Sequence, residues 1–192
     1  MSLMSGIWLR MRRSALDLSG DTRGLAAVEF AMVVPLMLVL FFGTVEFSSG
    51  VAVDRKVTLM ARTLSDLTSQ NVSVTDAQLT NIFNASTGIM TPYSAAPLNS
   101  TITELYVDPT TKIARVQWSK GAVPRGTGST VAIPSALQVG DTYLIYSEVS
   151  YKYVPAIGYV MAKAGINLTD FTYTRPRQSL CVMYNTTVCT KS

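Results

Sequence analysis

The sequence contains no histidine, and this absence removes most of the common arrangements for catalysis. Without an imidazole, neither a Ser-His-Asp nor a Cys-His arrangement can form, and a metal site loses a frequent nitrogen ligand. Carboxylates could still work in pairs, but the glutamates are few and scattered along the chain, at Glu29, Glu46, Glu104 and Glu148. We therefore expect no enzymatic activity and no cofactor or metal ion.

Charged residues are also scarce, at 15% of the chain. The formal net charge is +4. Residues 1–24 contribute +2 of this, because they contain four arginines and two aspartates. The remaining residues therefore share an excess of only +2, which is not the electrostatic footprint of a nucleic-acid-binding protein. The sequence predicts no nucleic-acid partner.

Cysteine occurs only twice, at Cys181 and Cys189. This spacing does not match the paired short spacings of a zinc site. A disulfide near the C-terminus is typical of a protein in an oxidising compartment, and two unrelated thiols are the alternative.

What the sequence does contain is one long apolar run, because no residue from Phe30 to Val45 carries a formal charge. A helix over residues 25–47 rises about 34 Å, enough to cross a bilayer core of about 30 Å. The arginines before it place the N-terminus in the cytoplasm and the following domain outside. Glu29 then lies near one membrane edge, where an ionisable group costs on the order of 2 to 3 kcal/mol and should have a partner.

The chain divides into a basic head (residues 1–24), a membrane helix (25–47), an extension of that helix (48–70) and an extracytoplasmic domain (71–192). The extension is predicted because apolar residues recur at helical spacing, namely Phe47, Val51, Val57, Met60, Ala61, Leu64 and Leu67. The polar run 68–71 predicts its end. Such a stripe usually packs on the chain's own sheet, and a partner helix is the alternative.

The domain has helix signals first and strand signals later. Thr75 and Gln78 form a capping-box pattern that predicts a short helix ending at Gly88, followed by a loop over 90–100. Alternating residues then predict strands at 101–107, 112–119, 141–154 and 170–174, the first two as an antiparallel hairpin. Residues 120–130 are predicted to form a surface loop. The apolar segment 156–165 is expected under a loop or against lipid or a partner.

A last hairpin is predicted between residues 179–184 and 188–190, clamped by Cys181 and Cys189. The fold class is therefore α+β, with a long N-terminal helix packed on a small antiparallel β-sheet.

The sequence around the start of the apolar run resembles a known family. Arg23-Gly24, four further residues, Glu29-Phe30 and the apolar run are similar to the processing site of a type IVb prepilin. The stretch from Gly24 to Pro35, with Glu46-Phe47 closing the run, resembles the TadE-like minor pseudopilins of the tight-adherence (Flp-type) pilus system. The resemblance is specific over about the first 50 residues and loose beyond them.

This resemblance implies a cut between Gly24 and Leu25 by a prepilin peptidase, which makes Leu25 the first mature residue. It also implies an assembly charge pair at Glu29, next to Phe30, and a location in the bacterial inner membrane with the domain in the periplasm or outside the cell. The implied partners are other pilins and pseudopilins, the peptidase and the inner-membrane assembly platform. The implied function is a structural or assembly subunit of the pilus.

Two other interpretations stay open. Five of the six asparagines begin an Asn-x-Ser/Thr triplet, at Asn71, Asn84, Asn99, Asn167 and Asn185. A membrane-anchored, ligand-binding or glycosylated surface protein is therefore one alternative, although a Thr-rich surface without glycans also accounts for the triplets. A cleaved secretory signal peptide is the other, but the apolar run is long for one and no clear Ala-x-Ala site follows it.

Overall fold

A computed structural model describes residues 24–155 and 165–191. Most of the basic head, residues 1–23, and nearly all of the apolar segment 156–165 lie outside this range, so the expectations for them stay predictions. The chain forms two compact units, Met1–Val45 and Glu46–Ser192. Each unit is described by itself.

The longest element is helix α1, which runs from Leu25 to Ser69 and contains Pro35. Residues 25–45 of this helix belong to the first unit and residues 46–69 to the second. The helix ends within the polar run where the sequence predicts its end. There Asn71 donates from its backbone N–H to the carbonyl of Thr68 at 3.1 Å and from its side chain to that of Leu67 at 2.7 Å.

The second unit contains a five-stranded antiparallel sheet with the strand order β4-β3-β2-β5-β6. The strands are β2 (Leu98–Val107), β3 (Ala114–Gly121), β4 (Thr130–Val131), β5 (Thr142–Tyr153) and β6 (Ile166–Thr174). The predicted hairpin is confirmed as β2 and β3, and the α+β fold class is confirmed with it. The predicted loop over 90–100 is wrong at its end, because residues 98–100 already pair with β5.

The short helix predicted from the capping box is present as α2, Asp76–Thr87. The Gln78 backbone N–H donates to the Thr75 hydroxyl, while the Gln78 side chain accepts from the Thr75 backbone N–H. Leu79 is buried, and Ile82 and Phe83 pack half-buried against the same core. A turn of 3₁₀ helix, Gly88–Met90, follows.

The main core lies between the second-unit part of α1 and one face of the sheet. Buried residues of α1 (Val53, Val57, Met60, Ala61, Leu64) meet buried residues of the strands (Ile102, Trp118, Ile145, Val149, Tyr151, Tyr153). Six residues of β5 that alternate along the strand, from Tyr143 to Tyr153, are all buried, as their shared face predicts. The Ser147 hydroxyl donates to the Ala61 carbonyl at 2.6 Å, which fixes the helix on the sheet.

The apolar stripe of α1 therefore packs on the chain's own sheet for Val57, Met60, Ala61 and Leu64. The interpretation is wrong for its first residues, because 74% of Phe47 remains exposed and Val51 is exposed as well. Residues of α1 are fully buried against the sheet only from Val53 onward.

A second, smaller core lies on the opposite face of the sheet and explains why β2 is buried on both faces. Its members come from β2, β3, β5 and the connection that contains β4: Leu105, Val107, Ala114, Val116, Val131, Ile133, Leu144 and Tyr146. Residues 122–130, within the predicted surface loop, are exposed throughout.

The predicted last hairpin is wrong. Residues 183–184 form β7, which pairs in parallel with β1 (Ser73–Val74), and only a single antiparallel bridge links Tyr184 to Thr187. The physical reason is that Val182, fully buried in the main core, anchors the preceding chain beside β1. Asn185, with φ 53°, then reverses the chain before a second strand can form.

Candidate assembly site on the N-terminal helix

The proposed cut site lies at the start of α1. Gly24 is exposed and directly precedes the first helical residue, Leu25, of which 58% is exposed. A Cβ atom built on Gly24 would meet no heavy atom of the described residues within 4 Å. Within the described part of the chain, packing does not require a glycine here.

Glu29 lies one helical turn after Leu25, on an exposed part of α1. Neither a hydrogen bond nor an ion pair joins its side chain to any of the residues in 24–155 and 165–191. Because the helix has no acidic residue in its first turn, Glu29 is the first negative charge after the helix N-terminus. The neighbouring Phe30 is 69% exposed.

The apolar run after Glu29 is exposed as well. From Phe30 to Val45 every side chain is exposed except the half-buried Val34. By length and composition this helix could span a membrane, since its mean hydropathy over an 18-residue window is 2.5. An apolar surface of this size, which the described residues of the unit leave exposed, is expected to meet lipid or other helices.

Comparison with known proteins bears on this segment. Residues 24–64 match the family model described as TadE-like protein. This segment is TadE-like. The match confirms the resemblance inferred from residues 24–47 and supports membership in a tight-adherence pilus system. It begins at Gly24, next to the proposed cut, and ends inside the core part of α1. No curated protein and no solved structure matches the chain.

The other three glutamates have separate surroundings in the second unit. Glu46 accepts a hydrogen bond from the Tyr153 hydroxyl at 3.0 Å. Glu148 forms a bidentate ion pair with Arg125, with N–O distances of 2.6 and 3.0 Å. Glu104 is buried beside Trp118. The structure thus brings no two of these three glutamates together as an acid and a base among the described residues.

Cys181 and Cys189 are joined in a disulfide, with Cα atoms 6.4 Å apart, and it closes a loop rather than the predicted hairpin. A carboxylate oxygen of Glu104 and both sulfur atoms lie within 4.8 Å of one another. In this form the sulfurs are bonded to each other, so the group is a disulfide next to a carboxyl group. Sequence reasoning missed this neighbour.

A signal for Glu104 was present in the sequence. In the alternating run of β2, Glu104 shares a face with Ile102 and Tyr106, which are apolar or aromatic. A single charged residue on such a face is either buried or at an edge. The five-stranded order places β2 at the centre, and Glu104 is 0% exposed.

Burial raises the pKa of Glu104 to about 8, and hydrogen bonds from the Val182 N–H and the Trp118 side chain oppose the rise. Its Oε1 accepts from the backbone N–H of Val182 at 2.6 Å. Its Oε2 has no hydrogen-bond partner among the described residues. At neutral pH the group is therefore mostly a neutral carboxylic acid.

Of the five asparagines in triplets, Asn84, Asn99, Asn167 and Asn185 are exposed and Asn71 is half-buried. The Asn71 side chain is engaged in the end of α1. Exposure permits modification of the other four and does not require it.

Proposed function

We propose that the chain is a minor pseudopilin, a structural subunit for assembly of a tight-adherence pilus, and not an enzyme. In this proposal a prepilin peptidase cuts between Gly24 and Leu25, and the mature helix stands in the inner membrane with the second unit on the periplasmic side. The observation that carries it is the carboxylate of Glu29, which has no partner among the described residues and lies in an exposed apolar helix whose sequence is TadE-like.

The cut would supply the missing partner. Removal of residues 1–24 creates an α-amine at Leu25 with a pKa of about 7.7 to 8, and this amine is mostly protonated at neutral pH. Glu29 is four residues further on, so the two groups face the same side of the helix about one turn apart. The carboxylate can then offset its own amine or that of a neighbouring subunit.

Pairing between subunits would set their register. A charge in an apolar environment costs on the order of 2 to 3 kcal/mol or more, and a displaced neighbour would leave two such charges unpaired. The adjacent apolar residues allow the helices of neighbouring subunits to pack, but they do not favour one axial alignment of the two helices over another. Glu29 therefore selects one alignment among many that bury similar apolar area.

The proposed function is tested by Glu29→Ala in cells that build the pilus. We expect the variant to enter the membrane normally, because loss of a charge favours insertion, and to lose co-purification with other pilins and pilus formation. Val28→Ala is the matched control, since Val28 is also exposed on the same turn and carries no charge. Normal piliation and normal co-purification of the Glu29→Ala variant would contradict the proposal.

A further inference from the structure

The C-terminal strap, which we define as residues 177–191, covers the end of the sheet beyond the last turn of α1. The Arg177 backbone N–H donates to the Ser69 carbonyl at 2.9 Å, and its guanidinium pairs with Asp66. At the other end Lys191 pairs with Asp141 at 2.8 Å. Contacts with Ser69 and Asp66 thus hold one end of the strap, and a contact with Asp141 holds the other.

Its centre is held by two hydrogen bonds to one residue. The Val182 N–H donates to Glu104 Oε1 at 2.6 Å, and the Val182 carbonyl accepts from Trp118 Nε1 at 2.7 Å. Both partners come from the sheet and lie directly opposite each other on β2 and β3. Val182 is 0% exposed, so this anchor is shielded from water.

The disulfide begins at the residue next to this anchor. Cys181 and Cys189 are both half-buried, so neither residue is fully enclosed by the fold. The Glu104 carboxyl approaches them from the inner side, within 4.8 Å, and its Oε2 is fully buried without a hydrogen-bond partner among the described residues. A buried acid group with an unpaired oxygen next to a half-buried disulfide has the components for proton-coupled thiol–disulfide exchange.

We propose that the Cys181–Cys189 disulfide is a thiol–disulfide exchange site for a dithiol reductant, with Glu104 as the proton donor to the departing sulfur. The inference does not depend on the pilus assignment. It assigns a chemical role to a buried carboxyl group that assembly through α1 does not use.

The exchange balances in two steps. A thiolate of the dithiol attacks one cysteine sulfur, a mixed disulfide forms, the Cys–Cys bond breaks, and the departing sulfur takes the Glu104 proton. The second thiolate of the dithiol then attacks the mixed disulfide on the reductant's own sulfur and releases the other cysteine, which takes a proton from water. The dithiol is oxidised to a disulfide, both cysteines are reduced, and Glu104 regains its proton from water.

The charge state of Glu104 decides how well this works. The neutral acid can give its proton, whereas a carboxylate cannot and would repel the developing thiolate. Tyr143 of β5 also faces Glu104. Burial raises the pKa of the Tyr143 hydroxyl, and a negative charge on Glu104 raises it further. Tyr143 is neutral at physiological pH, as is the indole of Trp118. The Lys191–Asp141 pair is the nearby charged group on the strap side, and it acts on Tyr143.

The test is the rate at which dithiothreitol reduces the disulfide in the full chain in detergent, between pH 6 and 9. Reduction is followed by alkylation and intact mass, and each rate is divided by the concentration of reductant thiolate. For the unaltered chain we expect this corrected rate to fall as pH rises through about 8, where Glu104 ionises.

Glu104→Gln keeps an oxygen that can accept from the Val182 N–H but has no acidic proton. We expect its corrected rate to be at least about tenfold lower below pH 7 and flat with pH. Glu148→Gln, in which the altered glutamate lies on β5 and pairs with Arg125, should behave like the unaltered chain. A flat profile in the unaltered chain, or the same rate and profile in Glu104→Gln, would overturn the proposal. The first of these outcomes needs no variant, so the test survives if Glu104→Gln fails to fold.

Discussion

Glu104 lies on the central strand of the sheet, and its protonation state is set by burial and not by a charged partner. Because water does not reach it, the neutral acid is favoured over the carboxylate, and the pKa rises to about 8 from the ordinary value of 4.5. Glu29 is the opposite case, since it is exposed on α1 and has no partner among the described residues. The surroundings set the charge state of Glu104, whereas Glu29 gains a partner only through the cleavage and assembly that we propose.

The raised pKa of Glu104 makes the folded state lose stability as pH rises. Below about 4.5 both states hold the proton, and between 4.5 and 8 only the folded state does, so folding becomes less favourable by at most about 5 kcal/mol. Asp76, Asp108 and Asp141 have pKa values lowered from the ordinary 3.8. These carboxylates therefore stabilise the folded state above that pH, and this stabilisation is lost as the pH falls through 3.8 and below. Stability should therefore be highest near pH 5.

Glu104→Gln should flatten this dependence between pH 5 and 8, because glutamine does not titrate. The measurement is denaturant unfolding of the disulfide-intact chain in detergent at several pH values, followed by near-ultraviolet circular dichroism. Glu148→Gln serves as the control and should keep the original slope. The account fails if Glu104→Gln shows the same slope as the unaltered chain.

At the scale of elements, α1 has different roles along its length. From Val53 to Ser69 its buried face packs on the sheet, while residues 30–45 are exposed apart from the half-buried Val34. The sequence shows the same change, because the first part is apolar on every side and the second part is apolar on one side only. A helix that is apolar all round needs an apolar surrounding, and an amphipathic helix needs one packing partner.

Two leucines of α1 test which face packs on the sheet. Leu64 is 0% exposed and Leu59 is 52% exposed, so the same substitution can be made at both. We expect Leu64→Ala to lower the free energy of unfolding by about 2 to 5 kcal/mol and Leu59→Ala by about 0.5 kcal/mol or less. Equal losses at the two positions, measured by denaturant unfolding, would contradict the packing described here.

The elements that could be predicted are those fixed by local chemistry. The capping box specifies α2, and alternation specifies β2, β3 and β5, because both signals arise between residues close in the chain. The parallel pairing of β7 with β1 could not be predicted, since it depends on Val182 reaching a core built by distant strands. The environment of Glu104 was missed for the same reason, although a lone glutamate on an apolar face indicated that something unusual surrounds it.

At the scale of the whole molecule, the two units solve the burial of apolar residues differently. The unit from Glu46 onward builds two cores of its own and joins its C-terminal strap to them by a disulfide. The described part of the first unit, residues 24–45, buries none of its apolar residues fully. This division is expected for a subunit that folds its domain alone and depends on a membrane or on other subunits for the helix.

The central claim is that the chain is cut after Gly24, because this cut creates the charge that Glu29 needs. The most direct test is the intact mass and N-terminal sequence of the protein extracted from membranes of cells that build the pilus. We expect a chain that begins Leu-Ala-Ala-Val-Glu-Phe and carries no added glycan. Gly24→Val should stay uncut and still fold, because a Cβ atom at that position would meet no described heavy atom beyond its chain neighbours within 4 Å. A protein from the unaltered gene that keeps residues 1–24, or that carries glycan mass, would contradict the account.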